Sequence, residues 1–306
     1  MTLTIRDFGP ADAEAASAVY SAGRPHLLMT PEVVRWLTAR AAPAQHYRLL
    51  VAELDGRVVG TARCTVHADA GTKGQGGANL SVLPECRGRG AGSALLAAAE
   101  EHLAAHGVSR VHSWVDDEPS ARDFAANRGY QAGRSAHFAH LDLSAELPSV
   151  PELPVGVGLR TAADYEDDPY PIYLVDIAGT RDEPGDLDAG DQDYQDWLTE
   201  VWGRPDLDRE LTAVAVLDGR PAAFSAVHSD GAHRYWSAFT TTSAEYRGRG
   251  LAKLAKTHSL HRARAAGFTD AYTNNDATNA PMLAINSWLG YERCASEWKY
   301  IRELSA

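Results

Sequence analysis

Two short segments rich in arginine and glycine carry the residues best suited to bind a phosphorylated ligand. They are Arg87-Gly88-Arg89-Gly90-Ala91-Gly92 and Arg247-Gly248-Arg249-Gly250-Leu251-Ala252. Each follows a predicted strand, ending near Val82 or Thr242, and precedes a predicted helix. Glycine at such a junction lets the backbone approach a ligand closely. Free N–H groups at the helix start, together with the arginines, would bind phosphate oxygens.

Other phosphate-binding motifs do not fit these segments. A P-loop requires Lys followed by Ser or Thr after its last glycine, and neither segment has that pair. A dinucleotide-binding fingerprint requires the spacing G-x-G-x-x-G, which is also missing. A single turn of this kind could be a plain strand-to-helix connection. Its occurrence at two equivalent places favours ligand binding.

The two turns belong to an internal repeat. Three pairs of segments align at an offset of about 160 residues: 85–107 with 245–267, 124–130 with 284–291, and 51–67 with 214–230. Between the copies, residues 144–158 contain three prolines and predict an extended linker. We therefore predict an N-terminal domain at 1–145, a linker at 146–156 and a C-terminal domain at 157–306.

Both repeats predict the same succession of elements, which indicates a mixed α/β sheet with helices inserted at two places. The order is strand, two helices, a strand hairpin, a third strand, the long helix after the turn, a strand, a helix and a final strand. Expected bounds in the first repeat are 2–7, 11–22, 31–41, 47–67, 78–82, 90–106, 109–115, 119–128 and 130–142. In the second they are 157–161, 164–178, 191–202, 211–229, 234–242, 250–266, 268–274, 278–289 and 291–303. Glycines at 71–77 predict a loop before the third strand of the first repeat.

Composition excludes several classes of protein. The 306 residues include 29 basic and 41 acidic ones, a net charge of −12, which disfavours nucleic-acid binding. No apolar run approaches the ~20 residues that a membrane span requires, and the N-terminus has no signal-peptide core. Cys64, Cys86 and Cys294 form no C-x-x-C pair, so we expect neither a disulfide framework nor a metal site. A cytoplasmic location is the corresponding expectation.

Almost all of the excess negative charge lies in one segment. Residues 164–210 contain 16 acidic and 3 basic residues, whereas the remainder contains 25 acidic and 26 basic ones. One interpretation is a pair of solvated helices. The other is a negative surface that attracts a cationic ligand, with the interspersed aromatic side chains contacting an amine. The sequence does not decide between them.

The turns resemble the Arg/Gln-x-x-Gly-x-Gly/Ala motif of the GNAT (Gcn5-related) N-acetyltransferase family. The second repeat also carries Asn279-Ala280-Pro281-Met282-Leu283-Ala284-Ile285-Asn286 and then Leu289-Gly290-Tyr291, which is similar to the segment that closes the acyl-CoA site in that family. The likeness covers nearly the whole chain as two consecutive GNAT folds, an arrangement similar to that of tandem actinobacterial members.

The resemblance implies acetyl-CoA as co-substrate, with its pyrophosphate on the glycine-rich turn. Val82 and Thr242, at the ends of the strands before the turns, and Asn279, beside the CoA arm, are further expected CoA contacts. A primary amine would attack the thioester directly, without a covalent enzyme intermediate. The motif says little about the acceptor, but the acidic segment favours a small cationic metabolite. We expect a monomer or homodimer. We place catalysis in the C-terminal domain, because its closing segment is the fuller one.

The catalytic residues depart from the family pattern. A tyrosine commonly precedes the Leu-Gly motif as the acid for the departing thiolate, but Asn286 and Ala125 stand at those positions. A frequent glutamate base is replaced by Trp236 and Ser237. We predict Asn286 as a hydrogen-bond donor to the sulfur and His228 as the base, since histidine titrates near neutral pH. Because the usual acid and base are missing, a non-catalytic acyl-CoA-binding or partner-binding protein is the alternative.

Overall fold

The computed structural model describes residues 2–68, 71–180 and 192–304. The chain forms two compact units. The first unit consists of residues 1–136 and 295–306, and the second of residues 137–294. Each unit therefore contains one glycine-rich turn and takes the end of one strand from the other repeat. The domain limits expected from the sequence stay a prediction.

The first unit is a sheet with helices inserted at the expected places. Its strand order is β1-β2-β3-β4-β5, followed by residues 297–303 of the last strand, which run antiparallel to β5. Its elements are β1 (Leu3–Asp7), α1 (Ala13–Gly23), α2 (Pro31–Arg40), β2 (Arg48–Leu54), β3 (Arg57–Val66), β4 (Gln75–Val82), α3 (Ala91–Ala105), β5 (Arg110–Asp116) and α4 (Pro119–Ala126). The next strand, β6 (Gln131–Asp142), begins in this unit and ends in the second.

The second unit repeats this order. Its strands follow one another as β7-β8-β9-β10-β11, and the end of β6 lies beside β11. Its elements are β7 (Val157–Thr161), α5 (Tyr170–Thr180), α6 (Tyr194–Trp197), β8 (Ala213–Leu217), β9 (Arg220–Ser229), β10 (Arg234–Thr242), α7 (Leu251–Ala265), β11 (Asp270–Asp276), α8 (Ala280–Leu289) and β12 (Glu292–Glu303). The mixed α/β sheet expected for each repeat is confirmed.

Two predicted boundaries are wrong for identifiable reasons. Strand β4 begins at Gln75, inside the expected glycine loop. A Cβ at Gly76 would lie 3.0 Å from the Val108 methyl carbons, and one at Gly77 would lie 3.1 Å from His67 Nε2. These glycines therefore permit close packing within a strand.

Helix α5 begins at Tyr170 instead of residue 164. Residues 162–165 form a separate 3-10 turn, in which Asp164 accepts a hydrogen bond from the Thr161 amide at 2.8 Å. The start of the next predicted helix, Asp191, lies outside the described residues. Helix α6 begins at Tyr194 and continues as a π-helical turn, Leu198–Trp202.

Two helical layers cover opposite faces of the second sheet. Alternate side chains of a strand point to opposite faces. Ala213, Ala215 and Leu217 of β8 pack with Leu251 and Ala255 of α7. The intervening residues pack with the layer formed by α5 and α6. A ligand that contacts both layers must therefore pass through an opening in the sheet.

The aromatic residues of the acidic segment form a core under α5 and α6. The rings of Tyr173, Tyr194, Trp197 and Trp202 pack against one another with centroids 5.1–6.1 Å apart. The indole Nε1 of Trp197 donates to the buried carboxylate of Asp176 at 2.6 Å. These contacts favour a structural role for the rings over an amine-binding cage. Within the three described ranges, no helix has the length and apolarity needed to cross a membrane.

Candidate active site

Both glycine-rich turns have the backbone shape that an anion cradle requires. Gly248 and Gly250 have φ values of +75° and +76°, and Gly88 and Gly90 have values of +75° and +89°. Only glycine adopts such angles without strain. The amide of Leu254 donates to Gly250 O, which is the first bond of the α7 ladder. The amides of residues 251–253 therefore remain available to a ligand at the positive end of a 15-residue helix.

The sheet opens next to the second turn. Strands β10 and β11 are parallel neighbours over only four pairs, from Arg234 and Asp270 to Ser237 and Thr273. A register shift between β9 and β10 follows, between Ser237 and Phe239. Beyond this point β10 and β11 separate, so backbone groups along the open edge of β10 are free to bind a ligand in the gap.

A cavity of about 670 Å³ occupies this gap. Its wall on the α7 side includes the turn, Lys253 and Lys256. Its wall on the α5 side includes Gly179, which packs directly on Thr241 of β10. The cavity thus connects the helix start that suits a phosphate with the opposite face of the sheet.

The first unit has a smaller cavity at the equivalent place, of about 500 Å³. The end of this cavity that lies beside β5 contains an ion-paired arginine. Arg24 lies 2.7 Å from Asp116 and also contacts Glu297. The Asn79 side chain accepts a hydrogen bond from the Trp114 amide at 2.8 Å and thereby bridges the strands that separate here. The gap of the first sheet is therefore partly filled by its own side chains.

Most of the predicted cofactor-binding residues line the two cavities. In the second unit these are Thr242, Arg247, Gly248, Gly250, Leu251, Ala252 and Asn279. In the first they are Val82, Arg87, Gly88, Gly90, Ala91 and Gly92. Arg89 and Arg249 line neither, and the Arg249 guanidinium lies 5.9 Å from the Tyr246 ring centre instead. Their assignment as CoA ligands stays a prediction that this geometry does not support.

The asparagines near α8 have separate positions. Asn279 caps the helix, with its side chain accepting from the Met282 amide at 3.3 Å, and it also lines the cavity. Asn275 lines the cavity from β11. Asn286, predicted to contact the sulfur, is buried behind it and donates from Nδ2 to Asn275 Oδ1 at 2.5 Å. Asn286 therefore orients Asn275, and it has no place in the cavity wall.

His228, the predicted base, lies in β9 outside the cavity. Its Nδ1 is 3.7 Å from the buried Asp206 carboxylate, which also binds Arg204 at 2.9 Å. Burial lowers the pKa of His228 to about 4, with Asp206 opposing the shift. An imidazole of that pKa, without access to the gap, is poorly suited to take a proton from an amine.

His228 is therefore expected to affect acid stability more than turnover. Its folded-state pKa lies below the ordinary value of 6.5, so the unfolded chain binds the extra proton first. Stability contributed by the neutral ring is complete above pH 6.5 and decreases as the pH falls towards 4, by up to ~3 kcal/mol. In His228→Gln, the free energy of unfolding, measured with urea at several pH values, should depend less on pH between 6.5 and 4. The kcat should change less than about threefold. A tenfold loss of kcat at pH 7.5 would contradict this expectation and restore His228 as the base.

Lys256 is the cavity residue that the sequence interpretation missed. It lies on α7 with only 1% of its surface exposed, and it lines the cavity. Burial alone lowers the pKa of its ammonium to about 7. The signal was present in the repeat, because Lys256 aligns with Leu96 at an offset of 160, and Leu96 lines the first cavity. A lysine at an apolar helix position is unusual unless it serves a site.

Many carboxylates of the acidic segment are engaged in local structure. Asp193 accepts from the Gln195 amide at 2.7 Å, and Asp208 accepts from the Leu211 amide at 3.0 Å. Asp206 is paired with Arg204. Within the described part of the chain, no group of three or more His, Cys, Asp or Glu side chains has a geometry that could hold a metal ion.

Comparison with known proteins agrees with this geometry. The model of the acetyltransferase (GNAT) family matches residues 16–130 and again 172–291. The chain is 30% identical over 293 residues to a mycothiol acetyltransferase of Clavibacter michiganensis subsp. michiganensis, covering 89% of this chain and 92% of the relative. A mycothiol acetyltransferase of Actinosynnema mirum is 28% identical, with 82% of each chain covered.

Solved structures show the same fold over the full length. A tandem GNAT protein from the clavulanic acid biosynthesis pathway aligns with a TM-score of 0.75 at 22% identity, covering 100% of this chain and 99% of that one. A GCN5-related N-acetyltransferase from Sphaerobacter thermophilus aligns with a TM-score of 0.73 at 20% identity, covering 98% and 95%. The two turns, the two opened sheets and the doubled family match lead to one conclusion: this chain belongs to the GNAT acetyltransferase family and contains two copies of its fold.

Proposed function

We propose that this protein transfers an acetyl group from acetyl-CoA to the primary amine of a small cationic metabolite, and that the reaction takes place in the second unit. The observation that carries the proposal is the continuous cavity from the start of α7 through the β10–β11 gap to Gly179. It offers an anion site on one face of the sheet and an entrance for a second substrate on the other.

The residues at the start of α7 fit a diphosphate. Two glycines with positive φ leave the helix amides uncovered, and a Cβ at either glycine would meet no atom of the described residues within 4 Å. The glycines are thus required by the backbone angles and leave room for a ligand. Arg247 lies beside the amides and supplies positive charge. The pantetheine arm would then extend along the β10–β11 gap beside Asn279 and Asn275.

The gap also suits acyl transfer. Attack by an amine on a thioester places negative charge on the carbonyl oxygen, which fixed N–H donors stabilise. Amides along the separated edge of β10 are such donors. An amine with an ordinary pKa near 10 is largely protonated at pH 7, so it must lose a proton before it attacks.

The second cavity is better equipped for this chemistry than the first. At three positions in or directly behind the cavity wall, the first unit has an apolar residue and the second unit has a polar residue at the aligned position. The pairs are Leu96 with Lys256, Val115 with Asn275, and Ala125 with Asn286. In the first unit, moreover, the Arg24–Asp116 pair and the Asn79 side chain occupy the gap. These differences favour catalysis in the second unit, with the first holding acyl-CoA or acting structurally.

Two observations suggest the acceptor class. Exposed carboxylates of the 164–210 segment, among them Glu166 and Asp167, produce a negative surface that suits a cation. Relatives over most of the chain are named mycothiol acetyltransferases. A mycothiol-related amine is therefore the first acceptor to examine, beside amino sugars, aminoglycosides and peptide amines.

Titration calorimetry and a thiol-release assay test the proposal. We expect acetyl-CoA to bind with micromolar affinity and CoA to be released faster than by hydrolysis with at least one amine of a panel. The panel comprises a mycothiol-related amine, glucosamine, kanamycin and glycylglycine. Binding without release for any amine would favour a non-catalytic acyl-CoA-binding protein. Absence of acetyl-CoA binding would overturn the proposal at its first step.

A further inference from the structure

Lys256 occupies a position at which a charged side chain needs a function. It follows Leu251, the first residue of α7, by five positions, and so lies ~7.5 Å along the helix axis from the phosphate-binding end. Its side chain is almost fully buried and lines the cavity. Burying a cation without a partner is costly, and lysine is rarely buried unless paired.

No counter-charge lies beside this lysine in the described part of the chain. Its Nζ lies 5.1 Å from the centre of the Tyr291 ring. Tyr291 is itself buried, its hydroxyl has no hydrogen-bond partner among the described residues, and its pKa is raised by burial. The other titratable side chains of the cavity wall are Arg247, Tyr246 and Lys253, whose Nζ lies 3.3 Å from the Trp288 ring centre. Among the described residues that line the cavity there is no carboxylate.

The position of Lys256 relates it to the leaving group. It shares α7, and hence one face of the sheet, with the turn proposed to hold the CoA phosphates. The opposite wall, at Gly179, belongs to α5, from which an acceptor would reach the gap. A group on the CoA side is placed to act on the sulfur, whereas a base for the amine would be needed on the acceptor side.

We propose, building on the function proposed above, that the Lys256 ammonium donates the proton taken up by the departing CoA thiolate. The amine nitrogen bonds to the thioester carbon, and the electron pair of the C–S bond leaves with the sulfur. The sulfur takes a proton from Lys256 Nζ. The acylated nitrogen loses a proton to solvent and Lys256 regains one from solvent, so that the products are an amide and CoA with a free thiol.

The titration of this lysine suits the task. Burial lowers the pKa of Lys256 to about 7, whereas an exposed lysine has a pKa of ~10.4. The buried ammonium is therefore the stronger acid, and about half of it is still protonated near neutral pH. Proton donors are most effective when their pKa lies near the working pH. The alkaline limb of the kcat profile should therefore fall above pH 7 in the wild type.

Lys256→Met tests the proposal, because methionine is apolar like Leu96 at the aligned position and relieves the buried charge. We expect kcat to fall about 10²–10³-fold and the alkaline limb near pH 7 to vanish. Acetyl-CoA affinity should change less than threefold. Lys256→Arg keeps a charge but does not release its proton, so it should lose the alkaline limb as Lys256→Met does. Leu260→Met, at a buried α7 position outside the cavity, should leave kcat unchanged.

A second readout requires no acceptor amine. The ionisation of the thiol of protein-bound CoA can be followed by the ultraviolet absorbance of its thiolate. The acid dissociation constant of this thiol should be at least tenfold higher in the wild type than in Lys256→Met. Equal thiol titrations in the two proteins would overturn the assignment. So would a Lys256→Met variant with unchanged kcat or with a loss confined to acetyl-CoA affinity. A wild-type kcat that rises through pH 7 would indicate a base instead of an acid. If CoA does not bind to the wild type, the proposed function fails and the role of the lysine fails with it, whereas CoA binding with equal thiol titrations overturns the role of the lysine alone.

Discussion

Gly250→Val is expected to weaken acetyl-CoA binding in the second unit at least about 100-fold and to abolish turnover, whereas Gly90→Val should leave turnover intact. Gly250 has a φ of +76°, which a β-branched residue adopts only at a cost of ~1–3 kcal/mol. The turn must therefore change shape, and the amides of residues 251–253 lose their common direction. Two lost charge-assisted hydrogen bonds, each worth ~1.5–3 kcal/mol, correspond to that loss of affinity.

Gly90, with a φ of +89° at the start of α3, makes the comparison a matched one. Both variants carry the same strain, so they should lower thermal stability similarly and differ only in chemistry. Calorimetry on each would also count the CoA sites, since each substitution removes one turn. If Gly90→Val abolished turnover and Gly250→Val did not, catalysis would have to be assigned to the first unit.

Gly179→Ala should lower both the stability of the second unit and its kcat/KM. The added Cβ would lie 2.6 Å from Thr241 Cβ, nearer than such atoms approach, so α5 must move away from β10. Overpacking of this kind costs ~1–3 kcal/mol, which outweighs the ~0.5–1 kcal/mol gained from alanine in a helix. The net cost of ~0.5–2 kcal/mol should lower the melting temperature by ~1–8 °C. Because Gly179 and Thr241 line the cavity, kcat/KM should fall at least about tenfold.

Thr241→Gly in the Gly179→Ala background provides the control. The nearest atoms to the added Cβ all belong to the Thr241 side chain, so its removal relieves the contact. In the Thr241→Gly background, Gly179→Ala should therefore lower the free energy of unfolding much less than it does in the wild type. If Gly179→Ala is as stable as the wild type, α5 does not pack on β10 as closely as the structure shows.

Local patterns were sufficient to predict most helices and strands. The tight turns Asp55-Gly56-Arg57 and Asp218-Gly219-Arg220, each inside a predicted strand hairpin, and the doubled glycine turns repeat the same short-range chemistry. Strands β8, β9 and β10 lie where they were expected. Errors occurred where tertiary contacts override local preference. Gly76 and Gly77 suggested a loop, but the Val108 and His67 side chains make glycine the residue that fits inside β4.

The candidate site was predictable only in part. The sequence brought the turn residues and Asn279 to one cavity wall in advance, because a helix start suits an anion through groups adjacent in sequence. His228 and Asn286 could not be placed, because a residue's distance from the gap depends on strand register and helix packing. Asn286 is 11 positions from Asn275 and yet lies directly behind it, outside the cavity wall.

By itself the sequence determined the repeat, the order of elements and the two glycine-rich turns at helix starts, since all of these follow from interactions between residues close along the chain. The tertiary structure decided which side chains share the cavity. Lys256 and Gly179 come from different helices on opposite faces of the sheet, and the separation of β10 from β11 brings both to one cavity. Burial, which changes the acidity of Lys256 and His228, is likewise a property of the packed chain and is absent from any local pattern.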